Sequence, residues 1–360
     1  MLQKPTKKII IIVLAVVAVW FFLRNDAFLY HGPVGQVTHV TEKMTQATTD
    51  EHGNDDQVYT QQLTIAVLNR HQTLQLTNTY AQSQVITNRY RVGDQLLLET
   101  VGDATHILSL KRDAWLGVLT TLFVGLLLIY SRWRATSWLL LSLVLNVVMF
   151  GFAIQIDIHD KNANVLLVFS ILALCLATAS LALVLGKTMQ MALTLVTTIV
   201  TTCLTMMILF MVLALTHSKG VHFETMSYVT QLPSAIFMAQ TVIGVLGAVM
   251  DESADIVAMQ FGMQRENASR HFTDYWQGGL SVGRDIMGTL VNVLFMIFIA
   301  ETLPMVFLML RNGNNWSYIM DQIMNLGILQ TVVSGIGIVL AVPVTSVVVG
   351  LVMSRKAEMQ

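Results

Sequence analysis

Charge is scarce in this chain. Asp, Glu, Lys and Arg supply only 12% of its 360 residues, about half of what a soluble domain carries. Hydrophobic residues supply 54%, and the mean hydropathy is +0.63. These values exclude a water-soluble globular protein and imply a polytopic helical membrane protein whose first partner is the lipid bilayer. The net charge of -1 excludes nucleic acid, which requires a basic surface. Cysteine is nearly absent: Cys175 and Cys203 lie inside apolar runs with no CxxC spacing, so no disulfide framework, redox pair or thiolate metal site is expected. No P-loop, GxSxG, HExxH or dinucleotide fingerprint occurs. The expectation is a non-enzyme without catalytic residues, cofactor or resident metal.

The apolar runs themselves are abundant. A basic head precedes an apolar run that ends in Trp20, Phe21, Phe22 and Leu23. Bulky residues at that place do not fit a cleavage site, so residues 1–23 read as a signal-anchor helix. Residues 24–113 are polar, with short β-branched and aliphatic runs between turn residues. They read as a small β-domain of barrel or sandwich kind, with turns at Asn69–His71, Ala81–Ser83 and Gly93-Asp94. Residues 114–360 read as a transmembrane domain with spans near 115–130, 137–156, 163–186, 190–215, 233–257, 284–310 and 326–352, each close to or above bilayer length. With the anchor this makes about eight.

Lys4, Lys7, Lys8, Arg132, Arg134, Lys187, Arg265, Arg270, Arg284, Arg355 and Lys356 fall on one side of that arrangement, and only Lys161, Lys219 and Arg311 in the short loops of the other. The positive-inside rule then places both termini in the cytoplasm and residues 24–113 outside the cell.

Four acids interrupt the apolar runs: Asp251, Glu252, Asp255 and Glu301. A charge in hydrocarbon costs roughly 2.5 kcal/mol or more and commonly marks a proton or ion path. Asp251 and Asp255, four residues apart, share one helix face. They are candidate proton or ion relay groups; the competing reading is a solvated helix end. Arg284 is a candidate charge partner for them, and Asp285 suits the positive end of a helix start. Gly288 and Asn292 follow Arg284 at i+4 steps, a small and polar stripe typical of close helix contact. Glu301 lies about 25 Å of helical rise beyond Arg284, beside Pro304, and reads either as a gate or ion ligand or as a snorkelling residue. The polar connection holding Arg265, Glu266, Arg270, His271, Asp274 and Tyr275 reads as a surface helix or a cytoplasmic partner-binding element. The acidic run Asp50–Asp56 reads as a solvated loop.

Two stretches carry a resemblance. Gly244-Val-Leu-Gly247-Ala-Val-Met-Asp251, followed by Ser281-Val-Gly283-Arg284-Asp285-Ile-Met-Gly288-Thr289-Leu-Val-Asn292, resembles the signature of the YibE/F family of bacterial membrane proteins. Asn78 to Tyr80 and Tyr90 to Asp94 match that family's N-x-Y and Y-x-V-G-D elements, in the longer, YibE-like form with an extracellular β-domain. Glu252-Ser253-Ala254-Asp255 departs from the pattern, so no family role for Asp255 is implied. The resemblance implies a bacterial plasma-membrane location and a paralogous YibE/F-type membrane partner, but no settled activity. A weaker, fold-level similarity is to the SecF half of SecDF and RND permeases. Together these lead to the expectation of a permease-like transporter or export accessory for an unknown solute or ion, coupled through Asp251 with Asp255 and Glu301, with Gly244, Gly247, Gly283, Gly288 and Asn292 in helix packing. The alternative is a non-transporting scaffold that acts through the β-domain and a partner.

Overall fold

The computed structural model describes residues 5–49, 53, 55–70, 72–84, 87–102, 104–159, 164–226, 232–267 and 269–358. The chain divides into two compact units, Met1–Thr136 and Ser137–Gln360. Among the described residues, seven helices are long and apolar enough to cross a membrane.

The first unit opens with α1 (Pro5–Arg24), whose 20 residues rise about 30 Å, the thickness of a hydrocarbon core. Five strands follow: β1 (Val34–Thr49), β2 (Asp55–Val67), β3 (Gln72–Ala81), β4 (Gln95–Val101) and β5 (Ala104–Leu110). Helix α2 (Asp113–Tyr130) then packs against α1. The described strands form one antiparallel sheet of order β3-β2-β1-β4-β5, not the barrel or sandwich expected. The alternation explains why: Leu63, Ile65 and Val67 of β2 are buried on every second residue, and they join Val37, Tyr90, Leu96 and Leu98 in a single core.

The central strand β1 escaped the sequence reading because it is rich in Thr and Gln. Its order comes from main-chain pairing with β2, from Gly35↔Val67 to Thr49↔Asp55, rather than from an apolar pattern. The three expected turns fall between β2 and β3, after β3 and before β4; His71 lies outside the described residues, as does most of Asp50–Asp56.

The described part of Ser83–Val92 forms no strand. It is held by a buried amide. Gln61, fully buried, donates to the Tyr90 carbonyl at 3.0 Å and accepts from Tyr90 N and Asn78 Nδ2, each at 3.1 Å. Asn78 also donates to the Asn88 carbonyl at 3.0 Å. Both family elements therefore meet at one side chain. In the following turn Gly93 takes φ +95°, a conformation L side chains rarely adopt, and its carbonyl accepts from Arg24 at 3.1 Å.

A second polar cluster joins strand to helices. Lys111, after β5, is 2% exposed and lies 2.7 Å from Asp26 and 2.8 Å from Asp113, with the Tyr30 ring 5.4 Å away. The Tyr30 hydroxyl donates to Asp113 at 2.7 Å. Burial foremost, then that hydrogen bond and the nearby negative charges, pushes the phenol up to about 12, so it stays a donor at physiological pH.

The second unit contains α3 (Trp133–His159), α4 (Val165–Leu185), α5 (Met189–Thr216), α6 (Pro233–Glu266), α7 (Phe272–Arg311), a short α8 (Trp316–Ile319), a five-residue π-helical turn (Met320–Met324) and α9 (Asn325–Glu358). Asn164 and Thr188 cap α4 and α5 by accepting from Leu167 N and Met191 N, satisfying donors a helix start leaves open. Asp274 and His271 form a reciprocal capping box at the start of α7. Instead of a separate surface helix, α6 runs on to Glu266 and α7 starts at Phe272. Both helices run further than the apolar runs do, because Asp, Glu, Arg and Gln favour or tolerate helix and no proline interrupts the extended parts.

Helix α9 is the centre of this unit and contacts α5, α6 and α7. Methyl groups at Gly279 and Gly283 of α7 would overlap Ser346 and Val342 of α9, and one at Gly337 would stand 2.9 Å from Val249 of α6. Such small residues let membrane helices approach closely.

The Lys111 cluster yields a prediction. Lys111→Met leaves Asp26 buried and unpaired, which costs about 3–5 kcal/mol, and protease sensitivity of the 34–110 segment in native membranes should rise steeply. Adding Asp26→Asn to Lys111→Met should recover part of the resistance. Equal sensitivity of the single and double variants would refute the charge argument.

Candidate functional site in the helical unit

On α6 the residues Thr241, Val245, Val249, Glu252, Ile256 and Gln260 follow steps of three and four, and each is fully buried. They form one face of the helix, turned into the bundle. A carboxylate therefore occupies a core position in an otherwise largely apolar stripe. Among the described residues neither Glu252 carboxylate oxygen has a hydrogen-bond partner.

Polar groups collect at the same depth. Thr205 of α5 approaches Gly337, as do Val245 and Val249 of α6. Because α5 and α6 run antiparallel, stepping one and two turns back along α5 brings Thr201 and Thr198 to the depth of Glu252. Both hydroxyls are buried and unpartnered. Beside Glu252, Ser253 accepts from Thr345 of α9 at 3.2 Å.

Two turns further along α6, roughly 12 Å, Gln260 donates to the Tyr275 carbonyl at 3.0 Å and the Ser346 carbonyl at 3.4 Å. The Gln260 Oε1 and the fully buried Tyr275 hydroxyl have no partner. The result is a polar seam through the packed centre of α5, α6, α7 and α9. An ionised, unpaired carboxylate in such surroundings costs several kcal/mol. The arrangement is chemically complete only with a proton on the carboxyl or a small cation beside it. Among the described residues no group of three His, Cys, Asp or Glu side chains forms a metal-ligand set.

The other acids lie elsewhere. Asp251 and Asp255 are exposed on the neighbouring flank of α6, about 100° and 60° round the helix from Glu252, and Arg284, Asp285, Gly288 and Asn292 are exposed along α7. The contacts of Gly283 with Val342, Gly337 with Val249 and Thr345 with Ser253 put Arg284, Asp251 and Glu252 at one depth. Even so, among the described residues Arg284 forms no ion pair with Asp251 or Asp255. Glu301 is exposed further along α7, which continues past Pro304 to Arg311.

Of the signature glycines, Gly283 packs on Val342, and a methyl at Gly244 would lie 3.3 Å from Gln330. Gly247 and Gly288 face open space. Charge spacing alone does not single out Glu252 among its neighbouring acids, nor Gln260, Tyr275, Thr198 and Thr201. The available signal was the phase of the apolar stripe: Val245, Val249 and Ile256 fix the inward face, and Glu252 is on it.

A second titratable cluster joins the α5–α6 connection to the π-helical turn. His222 Nδ1 lies 3.0 Å from Glu224, and its Nε2 lies 3.2 Å from Asp321. The Glu224 hydrogen bond foremost raises the His222 pKa; desolvation opposes, and the charges of Asp321 and Glu224 add to the rise. A raised folded value means stabilisation fully present below the ordinary imidazole value near ~6.5 and lost as pH climbs through the raised one. Amide exchange over residues 217–226 should therefore be slow at pH 5–6 and faster at alkaline pH, after correction for intrinsic exchange. His222→Gln should flatten that dependence, and an unchanged profile in the variant would rule the cluster out.

Comparisons with known proteins fit this architecture. Residues 119–355 match a family model described as YibE/F-like protein, and residues 28–111 match one described as YibE/F family N-terminal domain. The chain has no match among curated proteins or among solved structures.

Proposed function

We propose the following for this chain, which belongs to the YibE/F family: it is a non-enzymatic, permease-like protein of the bacterial plasma membrane, coupled to a proton or small cation through Glu252. Membership of the family and the apolar helices make it an integral membrane protein. The observation that carries the transport reading is Glu252 itself, fully buried with both oxygens unpartnered. A carboxyl in that position is an expensive structural element and an effective binding group for a proton. Asp251 and Asp255 act as relay groups on the exposed side of α6, Arg284 as their charge partner at the same depth, and Glu301 as a relay group further along α7. The arginine and lysine distribution supports cytoplasmic termini with the sheet outside.

A second reading has its own observation. A polar cavity of about 520 Å³ on the sheet is lined by Tyr59, Tyr80, Arg89, Arg91 and Asp94. Tyr59 and Tyr80 stack at 5.3 Å between centroids, and Arg89 pairs with Glu42 at 3.1 Å. Such a surface suits an extracellular partner segment, including that of a paralogous membrane protein, and would serve a scaffold without transport.

Glu252→Gln separates the readings, since it keeps shape and removes the titratable group. In the reconstituted protein the infrared band of a protonated carboxyl should vanish in Glu252→Gln and persist in Asp251→Asn. In a deletion strain Glu252→Gln should reach the membrane yet lose at least about tenfold in activity, the loss expected for a required proton carrier. Full complementation by Glu252→Gln, or an unchanged infrared band, would overturn proton coupling and favour the scaffold.

A further inference from the structure

Two helix stripes that meet at Gly337 carry Glu252 and a run of threonines. Thr205 of α5 and Val245 and Val249 of α6 all approach that one glycine of α9. Further along, Leu193 of α5 clusters with Val257 of α6, so the two helices stay in register between these fixed points. Thr201 lies one turn back from Thr205, and Thr198 about two turns back, on the same face of α5. Glu252 lies one turn on from Val249 along α6. The stripes therefore bring Thr201 and Thr198 alongside the Glu252 carboxylate.

The hydroxyls at this place differ from those around them. Thr194, Thr197 and Thr205 each donate to a carbonyl one turn back, at 3.0, 2.9 and 2.9 Å. Thr198 and Thr201 do not. Both are fully buried, and among the described residues neither hydroxyl has a partner, as neither Glu252 oxygen has. One carboxylate and two hydroxyls thus lie at one depth, sealed from water and not bonded to one another. Nor is there a countercharge: among the described residues of this unit no Lys, Arg or His is buried.

The donor set selects its ligand. Every donor is a hard oxygen, which excludes metals that favour nitrogen or sulfur. One carboxylate balances one positive charge, whereas a divalent ion would leave net charge in hydrocarbon. A proton on Glu252 creates a single O–H donor, which answers one threonine and not the other. A monovalent ion takes a lone pair from every oxygen at once. An ion the size of Na+ or Ca2+ holds its oxygens at about 2.3–2.6 Å, and oxygens spread around it stand too far apart to bond each other. K+ is larger and takes a fuller cage of oxygens.

The geometry points to a Na+ site formed by the Glu252 carboxylate and the hydroxyls of Thr198 and Thr201. It rests on the reading of Glu252 as the coupling group and names the ion.

The probe is radioactive Na+, equilibrated in choline buffer with full-length protein in lipid nanodiscs. The unaltered protein should bind Na+ saturably, and excess K+ should not displace it. Glu252→Gln should abolish binding. Thr198→Val and Thr201→Val, of near-equal volume, should each raise Kd at least about tenfold, since even outer-shell partners of a bound metal are worth that much. Thr201→Ser, which keeps the hydroxyl, should retain binding. Thr197→Val, which removes a hydroxyl already bonded within its own helix, should leave Kd unchanged. No saturable binding, equal displacement by K+, or unaltered Kd in both Thr198→Val and Thr201→Val would each overturn the site. The infrared band of protonated Glu252 in Na+-free buffer keeps the two readings apart. A band without Na+ binding overturns the Na+ site and leaves proton coupling standing, and the absence of both overturns the two together.

Discussion

The helical unit depends on how closely α6 and α7 approach α9. Gly279 and Gly283 of α7 lie directly against Ser346 and Val342, and Gly337 of α9 lies against Val249. Inside a bilayer there is no hydrophobic drive to hold helices together, since lipid tails are as apolar as leucine. Packing contacts at short range supply the association, and glycine permits them. The same closeness has a second effect: side chains caught between these helices lose all access to solvent. Glu252, Gln260 and Tyr275 are sealed by the contacts that hold the bundle together.

The sheet unit solves a different problem with opposite means. It must connect a polar sheet to two apolar helices, α1 and α2, without leaving main-chain groups open. Lys111 does much of this by meeting Asp26 after α1, Asp113 at the start of α2 and the Leu23 carbonyl. Gln95 donates to the Arg24 carbonyl at 2.8 Å and Arg24 to that of Gly93. Each charged group at this junction has an ion-pair or hydrogen-bond partner. Around Glu252 the opposite holds, with several groups unanswered in one place. Complete satisfaction marks a joint, whereas clustered dissatisfaction marks a place where something else binds or a proton resides.

That contrast orders the functional reading. The acids with the most visible spacing, Asp251 and Asp255, are exposed, and among the described residues neither is ion-paired with Arg284. Glu252, between them in sequence, is turned by about 60–100° from them into the packed core. Along α5 the same division appears among threonines: Thr194, Thr197 and Thr205 bond their own helix, while Thr198, Thr201 and Thr202 do not. The unsatisfied three lie within about one turn of α5, near the depth of Glu252.

Composition and hydropathy alone determined the membrane class, the positions of the long apolar helices, the polar domain after the first of them and its turns. These properties follow from the cost of placing polar or apolar surface in the wrong solvent, and that cost can be added up residue by residue along the chain. The same addition missed β1, whose order comes from hydrogen bonds to strands on both sides, and it expected a barrel or sandwich where a single sheet forms. It did not reveal which of the neighbouring acids is buried. One residue on a helix turns the side chain by about 100°, so the choice between Asp251 and Glu252 rests on which face meets α5 and α9. Only the packing of helices distant in sequence decided that, because burial is a property of neighbours and not of the residue itself.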